Sequence, residues 1–270
     1  MERKNMKRLR CPFRLMFVFL AVLGCSVVPY TQRKALVLIS PSQEMAMGEE
    51  AYREVLSKEK LSKDKKWVLI VDRVGRNIAR VSDKPNLDWE FSLIESPHKN
   101  AFCLPGGKVA VYTGIMEVAQ NEAGLAAIMG HEIAHAVARH GAERMTQVLI
   151  LNMGMTVADI SLKNTEHREL ILAAIGAGAG LGVLLPYSRK HEKEADEIGT
   201  HYMAKAGYDP YEAVALWERF AEAGQANVPA FLSTHPASLE RAEALRTIAK
   251  NAMAEYQKVP NRYGKGEPLF

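Results

Sequence analysis

Residues 130–135 read Gly-His-Glu-Ile-Ala-His within an apolar stretch that predicts a long helix, for which Asn121 is a candidate N-cap. Positions i and i+4 share one face of a helix, so the imidazoles of His131 and His135 can bind one metal ion. Zn²⁺ accepts such nitrogen ligands, and hydrolases that use it keep one coordination position open for water. Glu132 lies one step round the helix, where a carboxylate can take a proton from that water. Because this spacing also occurs by chance, a third ligand has to decide the interpretation.

The residues that directly follow the motif do not supply that ligand. The position six residues after His135 is Gly141, which rules out the pattern that places a third histidine there. His140 lies five residues after His135, nearly opposite His131 on an uninterrupted helix. We therefore interpret His140 as a packing or surface histidine.

A charged segment further along offers the alternative, which is a glutamate from a later helix. Glu192 and Asp196 are four residues apart and share a helical face. Two small residues on that face, Ala195 and Gly199, would let another helix approach closely. Glu194 lies about 200° round the helix from Glu192 and should point away. We predict that Glu192 is the third ligand and that Asp196 accepts a hydrogen bond from a liganding imidazole. A surface helix rich in Glu and Lys is the competing interpretation.

Taken together, these motifs resemble those of the M48 metallopeptidase family. The matching residues are the motif 131–135 with Arg139-His140, the pair Glu192 and Asp196, and residues 100–107, which read Asn-Ala-Phe-Cys-Leu-Pro-Gly-Gly. The resemblance covers residues 40–250. The family includes heat-shock, mitochondrial and periplasmic quality-control proteases, and the chain is similar to its compact lipoprotein branch.

The resemblance implies an α+β fold, mostly helical and of the zincin (gluzincin) type, with a small β-sheet beside the motif helix. It implies one Zn²⁺ per chain, held by His131, His135 and Glu192, and the activity of a zinc-dependent metalloendopeptidase. In that activity Glu132 serves as the general base and then as the proton donor to the leaving amine.

Two further assignments follow from the resemblance alone. Asn100, Ala101 and Phe102 are similar to an edge strand that pairs with an extended substrate, a mode that reads backbone rather than side chains. His235 and Arg241 resemble a C-terminal element whose side chains approach the active site. They would stabilise the tetrahedral oxyanion there, or His235 would fill the open zinc position and hold the enzyme latent. For His235, a histidine that merely precedes a helix is the remaining alternative.

The N-terminus has the pattern of a bacterial export signal. A basic stretch leads into apolar residues 15–23, and Gly24 and Cys25 then resemble a lipobox, at which a cysteine is acylated. Ser26 follows, which by resemblance to sorted lipoproteins favours the outer membrane. We therefore predict an outer-membrane lipoprotein of the bacterial envelope that faces the periplasm. An ordinary signal peptide or a mitochondrial presequence is the alternative.

The predicted organisation has four parts, which are a signal peptide (1–24), a lipidated tether (25–41), an M48-type peptidase domain (42–256) and a C-terminal tail (257–270). Apolar periodicity predicts helices over 42–56 (capped by Ser42), 65–81, 122–147, 167–185, 188–206, 210–223 and 237–255. Alternation predicts strands at 89–93 and 109–112, and residues 104–107 read as a turn.

Bulk composition suits a catalytic domain and argues against nucleic-acid binding. The chain has 270 residues, of which 48% are apolar, so it can bury a core. Its net charge of +4 comes from the first 24 residues, which contain six basic residues and one acidic residue. No basic field therefore remains on the rest of the chain. Cys103 would have no thiol partner after export, so we expect no disulfide.

The segment 170–186 is apolar, uncharged and rich in glycine. We interpret it as a buried or hinge-like helix near the active site. A membrane span is the alternative and would make the chain an integral protease.

The predicted partners are unfolded or misassembled envelope proteins, the membrane through the lipid anchor, and envelope assembly machinery. The rival function is a non-catalytic assembly factor or chaperone, against which Glu132 argues because a structural zinc site needs no base.

Overall fold

The computed structural model describes residues 25–163, 165, 167–179, 185–223, 229–236 and 239–270. Over these residues the fold is α+β and mostly helical, as predicted. The strands are β1 (Cys25–Val27), β2 (Lys34–Leu36), β3 (Glu90–Ile94), β4 (Ala101–Leu104) and β5 (Lys108–Tyr112). The helices are α1 (Pro41–Lys58), α2 (Lys65–Val81), α3 (Met116–Ala119), α4 (Glu122–Val137), α5 (His140–Ser161), α6 (Arg168–Ala179), α7 (Leu185–Lys205), α8 (Tyr211–Ala223), α9 (Ala230–Thr234) and α10 (Leu239–Tyr256).

A mixed three-stranded sheet lies beside the motif helix. The strand order is β3-β5-β4, and the central strand β5 runs parallel to β3 and antiparallel to β4. The predicted turn joins β4 to β5, where Gly106 and Gly107 have φ angles of 85° and 88° that favour glycine. β4 is therefore an edge strand.

Helix α4 is the centre of the fold and carries the metal-binding motif. The side chain of Asn121 caps it by accepting a hydrogen bond of 2.9 Å from the N–H of Gly124. Nearly every residue of α4 is buried, and α2, α7, α8 and β4 pack around it. A helix that is apolar on all sides belongs in a core. The motif residues are thereby held on a rigid, buried element.

The predicted helix over 122–147 is two helices in the structure. The chain reverses at Arg139, whose backbone is left-handed with φ 60° and ψ 34°. Its guanidinium stabilises the reversal by donating to Glu44 at 2.7 Å and to the carbonyl of Ile39 at 2.9 Å. The second helix, α5, starts at His140, which is therefore turned back toward α4.

Helix α1 also begins earlier than predicted. Its N-cap is Ser40, not Ser42, and the Ser40 hydroxyl accepts a hydrogen bond of 3.3 Å from the N–H of Gln43. Pro41 occupies the first turn, where its missing N–H costs no helical hydrogen bond. The short helices α3 and α9 were not predicted, because one turn is too short to show a period.

Residues 25–36 form a β-hairpin, which differs from the tether predicted for 25–41. β1 and β2 pair antiparallel, with Cys25 opposite Leu36. Ala35 is buried and packs in one cluster with Ala142 of α5. The hairpin is stabilised by contacts with residues more than 100 positions further along the chain. Local sequence patterns do not predict such contacts. The predicted signal peptide, residues 1–24, lies outside the described residues, and acylation of Cys25 stays a prediction.

The residues predicted as a C-terminal tail pack against the start of α4. The N–H groups of Glu122 and Ala123 donate to the carbonyls of Glu267 and Lys265, at 3.1 and 3.0 Å. Leu269 is buried beside them. These bonds satisfy two of the N–H groups that a helix leaves free at its N-terminus. The tail therefore supports the motif helix.

The apolar segment 170–186 is only partly described, because residues 180–184 lie outside the described ranges. The side chains described in α6 are half-buried or exposed, so the predicted burial is wrong for this part. Within the described parts of the chain, none of the helices combines the length and apolarity that a membrane span requires.

Candidate metal centre

Four side chains converge on one point beside α4. The Nε2 atoms of His131 and His135 are 3.1 Å apart. The carboxylate oxygens of Glu192, on α7, lie 3.3 Å from Nε2 of His131 and 3.4 Å from Nε2 of His135. His235, which follows α9, places Nδ1 at 3.1 Å from Nε2 of His131 and 2.9 Å from Oε2 of Glu192. These ligand atoms all lie within 4.8 Å of one another and could hold one metal ion.

The protonation states of the cluster suit a cation. Burial alone would raise the pKa of Glu192, but hydrogen bonds to His131 and His235 hold that pKa well below its ordinary range. Burial, with His131 as a close neighbour, lowers the pKa of His135 well below its ordinary value. An ionised carboxylate and a neutral imidazole are the forms that bind a metal.

Asp196 lies where it orients His131. Its Oδ1 is 3.0 Å from Nδ1 of His131, the atom that faces away from the other ligands. Burial alone would lower the pKa of His131, but hydrogen bonds to Asp196 and Glu192 raise that pKa to about 9.

Arg241 is held by protein groups beside the converging side chains. Its Nε and Nη2 donate to Asp196 at 2.6 and 2.8 Å, and its Nη1 donates to the carbonyl of Pro236 at 3.0 Å. Nη1 also lies 3.2 Å from Glu192, and the guanidinium packs 3.8 Å from the ring centre of Trp217. Arg241 is thus buried beside Glu192, and its role toward the oxyanion stays a prediction.

The sequence did not predict that His140 would contact the imidazole of His135. Nδ1 of His140 lies 2.8 Å from Nδ1 of His135, and its Nε2 lies 2.9 Å from Oε2 of Glu194. His140 is buried, and burial lowers its pKa to about 4. The prediction assumed a continuous helix, whereas the reversal at Arg139 brings His140 back to His135. The adjacent Arg139-His140 pair was the available signal.

Glu132 lies buried next to the four converging side chains. Burial raises the pKa of its carboxyl group, and the backbone N–H of Cys103 donates a hydrogen bond to it. Its Oε1 is 3.3 Å from Nε2 of His235. A carboxyl group with a raised pKa can accept a proton and return it near neutral pH.

The edge strand β4 lies beside Glu132. The carbonyl of Asn100, just before β4, accepts a hydrogen bond of 3.0 Å from β5. Antiparallel pairing alternates, so the backbone groups of Ala101 and Cys103 face the open edge, and those of Phe102 face β5. The N–H of Cys103 reaches Glu132 from this edge. The residues predicted for substrate pairing are thus at an open strand beside the cluster.

Four other histidines lie outside the group formed by His131, His135, Glu192 and His235. His191 is buried with Nε2 at 3.0 Å from Glu143, and His201 pairs with Glu255 at 2.6 Å. His98 and His167 are exposed. None of the four belongs to the group of converging ligand atoms found among the described residues.

Comparison with known proteins shows which proteins this chain resembles in sequence. The model of "Peptidase family M48" matches residues 66–249, a span that includes all four converging side chains. The mitochondrial metalloendopeptidase OMA1 of Schizosaccharomyces pombe is 39% identical over 79% of this chain and 63% of its own length. The human mitochondrial metalloendopeptidase OMA1 is 32% identical over 89% of this chain and 49% of its own length.

A bacterial protein is also similar. The β-barrel assembly-enhancing protease of Escherichia coli is 26% identical over 73% of this chain and 42% of its own length. The chain thus spans between 42% and 63% of the length of these three relatives. The matched span and the identity to the yeast relative agree with the motifs: this chain belongs to peptidase family M48.

Proposed function

We propose that this chain is a zinc-dependent endopeptidase that binds one Zn²⁺ through His131, His135 and Glu192. The observation that carries the proposal is the convergence of their ligand atoms next to the buried carboxyl group of Glu132. Ligands about 2.0–2.1 Å from a tetrahedral zinc ion are about 3.3–3.4 Å apart. The separations among the three residues, 3.1, 3.3 and 3.4 Å, fit that geometry. Two imidazoles and one glutamate are a donor set of catalytic zinc sites in peptidases.

Glu132 is the proposed general base. Zinc bound beside it would supply a Lewis acid that polarises a peptide carbonyl and lowers the pKa of water. Glu132 takes the proton of the attacking water and returns it to the leaving amine. Its raised pKa suits both steps, and the N–H of Cys103 holds the carboxylate in place. A structural metal site would not need this residue, which weighs against a non-catalytic assembly factor.

The edge strand β4 is the proposed substrate-binding element. An extended peptide added antiparallel or parallel to β4 would bond to the N–H and carbonyl of Ala101 and to the carbonyl of Cys103, because the N–H of Cys103 already donates to Glu132. This mode reads the substrate backbone, which suits unfolded segments of varied sequence. Because Cys103 also contacts Glu132, a peptide on this edge would pass directly beside the proposed base.

The position of His235 favours a latent form of the enzyme. Its Nδ1 lies among the ligand atoms and its Nε2 lies 3.3 Å from Glu132. A fourth protein ligand there would exclude the water that Glu132 activates. The N–H of Phe231, in α9, donates to the carbonyl of Lys99 at 3.0 Å, which ties the His235 segment to the start of the edge strand. Activation would then require this segment to move, after which His235 could still serve the oxyanion.

Unfolded or misassembled envelope proteins are the proposed substrates, with the enzyme held at the bacterial outer membrane by a lipid on Cys25. The name of the Escherichia coli relative supports a role in envelope assembly. The mitochondrial relatives support the alternative of a mitochondrial presequence. Mass spectrometry of the mature N-terminus separates the two. An acylated Cys25 supports the lipoprotein, and a different N-terminus refutes it.

Metal dependence tests the proposed activity. The purified chain should cleave an unfolded protein such as casein, a chelator should abolish cleavage, and Zn²⁺ but not Mg²⁺ should restore it. Cleavage that continues after complete removal of the metal would refute the proposal.

A further inference from the structure

We infer that His140 is a positioning residue of the metal centre, and that residues of the N-terminal hairpin complete the network that holds it. The inference rests on the proposed function, in which His135 binds the metal. It concerns four residues outside the ligand set, which are Thr31, Arg33, His140 and Glu194.

Hydrogen-bond directions along this network follow from the requirement at the metal. A ligand imidazole offers the lone pair of Nε2, so the proton of His135 resides on Nδ1. That proton points to Nδ1 of His140, at 2.8 Å, which must therefore be the acceptor. The proton of neutral His140 is then on Nε2, from which it is donated to Glu194 at 2.9 Å. Each donor in this order has one acceptor, so the network fixes both tautomers.

The carboxylate of Glu194 is itself held from the other side by the hairpin. Nε of Arg33 donates to its Oε2 at 2.8 Å, and the hydroxyl of Thr31 donates to its Oε1. Arg33 also donates two bonds to Glu143, at 3.0 and 2.8 Å. Its two oxygens thus accept hydrogen bonds from Thr31, Arg33 and His140, as a carboxylate acceptor does.

The ring of His140 is also restrained in its plane. It stacks on the ring of His191 with a centroid separation of 4.2 Å and an interplanar angle of 12°. His191 is held in turn by Glu143 at 3.0 Å, and both are buried. His140 is therefore bonded at both nitrogens and stacked on one face, which leaves it little freedom to rotate.

The arrangement parallels the one around His131. There Nδ1 faces Asp196, and Arg241 donates two bonds to that carboxylate. Each imidazole is thus supported by a carboxylate to which an arginine donates. His131 contacts its carboxylate, Asp196, directly, whereas His135 is linked to Glu194 through His140. The difference is the origin of the arginine. Arg241 lies in α10, whereas Arg33 precedes β2 near the start of the described chain.

Affinity for zinc in the purified full chain tests the inference. His140→Phe keeps a ring for stacking but removes both nitrogens, so zinc affinity should fall about 10–100-fold, as for loss of other groups that orient metal ligands. His140→Gln should recover part of that loss, because its amide has an acceptor for His135 and a donor for Glu194. Chelator competition measures the affinity, and the visible spectrum of the Co²⁺-loaded protein should change in His140→Phe.

The matched control is His201→Phe, which removes another histidine–glutamate pair of α7, at 2.6 Å from Glu255 and outside the cluster. It should leave zinc affinity unchanged. Circular dichroism and thermal unfolding of the metal-free proteins show whether each variant is folded. If His140→Phe does not fold, Arg33→Gln decides, because it loosens Glu194 and should still weaken zinc binding several-fold.

The inference is overturned if folded His140→Phe, or failing that folded Arg33→Gln, binds zinc as tightly as the parent chain. Its failure is distinguishable from failure of the proposed function. In the latter case the parent chain itself would bind no stoichiometric zinc, or would bind it without chelator-sensitive proteolysis.

Discussion

Gly130 and Gly199 lie backbone against backbone where α4 crosses α7. A Cβ atom on Gly130 would lie 2.8 Å from the carbonyl oxygen of Gly199, and one on Gly199 would lie 2.7 Å from the nitrogen of His131. Side chains do not tolerate separations this short, so the crossing needs glycine on both helices. It brings Asp196 and Glu192, about one and two turns before Gly199, against His131.

Gly199→Ala should therefore damage both stability and metal binding. The added methyl forces the helices apart, which should cost about 1–3 kcal/mol and displace Glu192 from the two histidines. Gly154→Ala is the control, since a Cβ there meets nothing within 4 Å in α5. It should be neutral or stabilising by up to about 1 kcal/mol. Thermal unfolding and zinc titration check both, and a Gly199→Ala protein with parental values would contradict the crossing.

Glu192→Gln and Glu194→Gln should differ in severity. The first removes an ionised ligand, so zinc content and proteolysis should fall together. The second keeps the ligand set and loosens only His140, so affinity should fall by about tenfold. Zinc per chain at a fixed free zinc concentration distinguishes them. A larger loss in Glu194→Gln than in Glu192→Gln would show that the ligand assignment is wrong.

His235→Ala should raise basal cleavage of an unfolded substrate several-fold while zinc stays bound. The imidazole occupies the place among the ligand atoms where water would enter. If His235 instead stabilises the oxyanion, the same change should lower kcat by about 10²–10³-fold. One steady-state assay decides between the two, and unchanged activity would exclude both roles.

Glu143 should contribute to stability in a defined pH range. Burial alone would raise its pKa, but His191 and Arg33 lower it from 4.5 to about 2. Its contribution is therefore complete above pH 4.5 and is lost as the pH falls toward 2. Glu143→Gln should cost about 1–3 kcal/mol at pH 7. In urea unfolding of the metal-free proteins, the difference between parent and variant should shrink with acid over that range. A difference that does not depend on pH would contradict this assignment.

Local patterns predicted the parts of the site that lie on single helices. His131 and His135 share a face of α4. Glu192 was predicted from its spacing to Asp196 and from the small residues on the same face of α7. The helix cap at Asn121 is similarly local. Each depends on residues within about two helical turns, where periodicity is a reliable guide. The edge strand was instead assigned at Asn100, Ala101 and Phe102 by the family resemblance alone, and the structure places β4 at Ala101–Leu104.

The rest depends on contacts between distant parts of the chain. His140 was misjudged because a left-handed residue at Arg139 ends α4, and nonglycine residues rarely take that conformation. Arg33 meets Glu143 across 110 residues, so the hairpin was read as a tether. Arg241 was assigned from the family resemblance alone, and the sequence did not show that two of its N–H groups would donate to Asp196.

We propose that Glu132 performs the chemistry on a metal site built by its neighbours. Its carboxyl group contributes no ligand atom to the converging group, so Glu132→Gln should leave zinc binding intact. The amide cannot take a proton from water, so proteolysis should fall by at least about 10²–10⁴-fold. The decisive measurement is zinc stoichiometry together with casein cleavage by Glu132→Gln and by the parent chain. One zinc per chain with cleavage lost is the expected result, and one zinc per chain with parental cleavage would show that Glu132 is not the base.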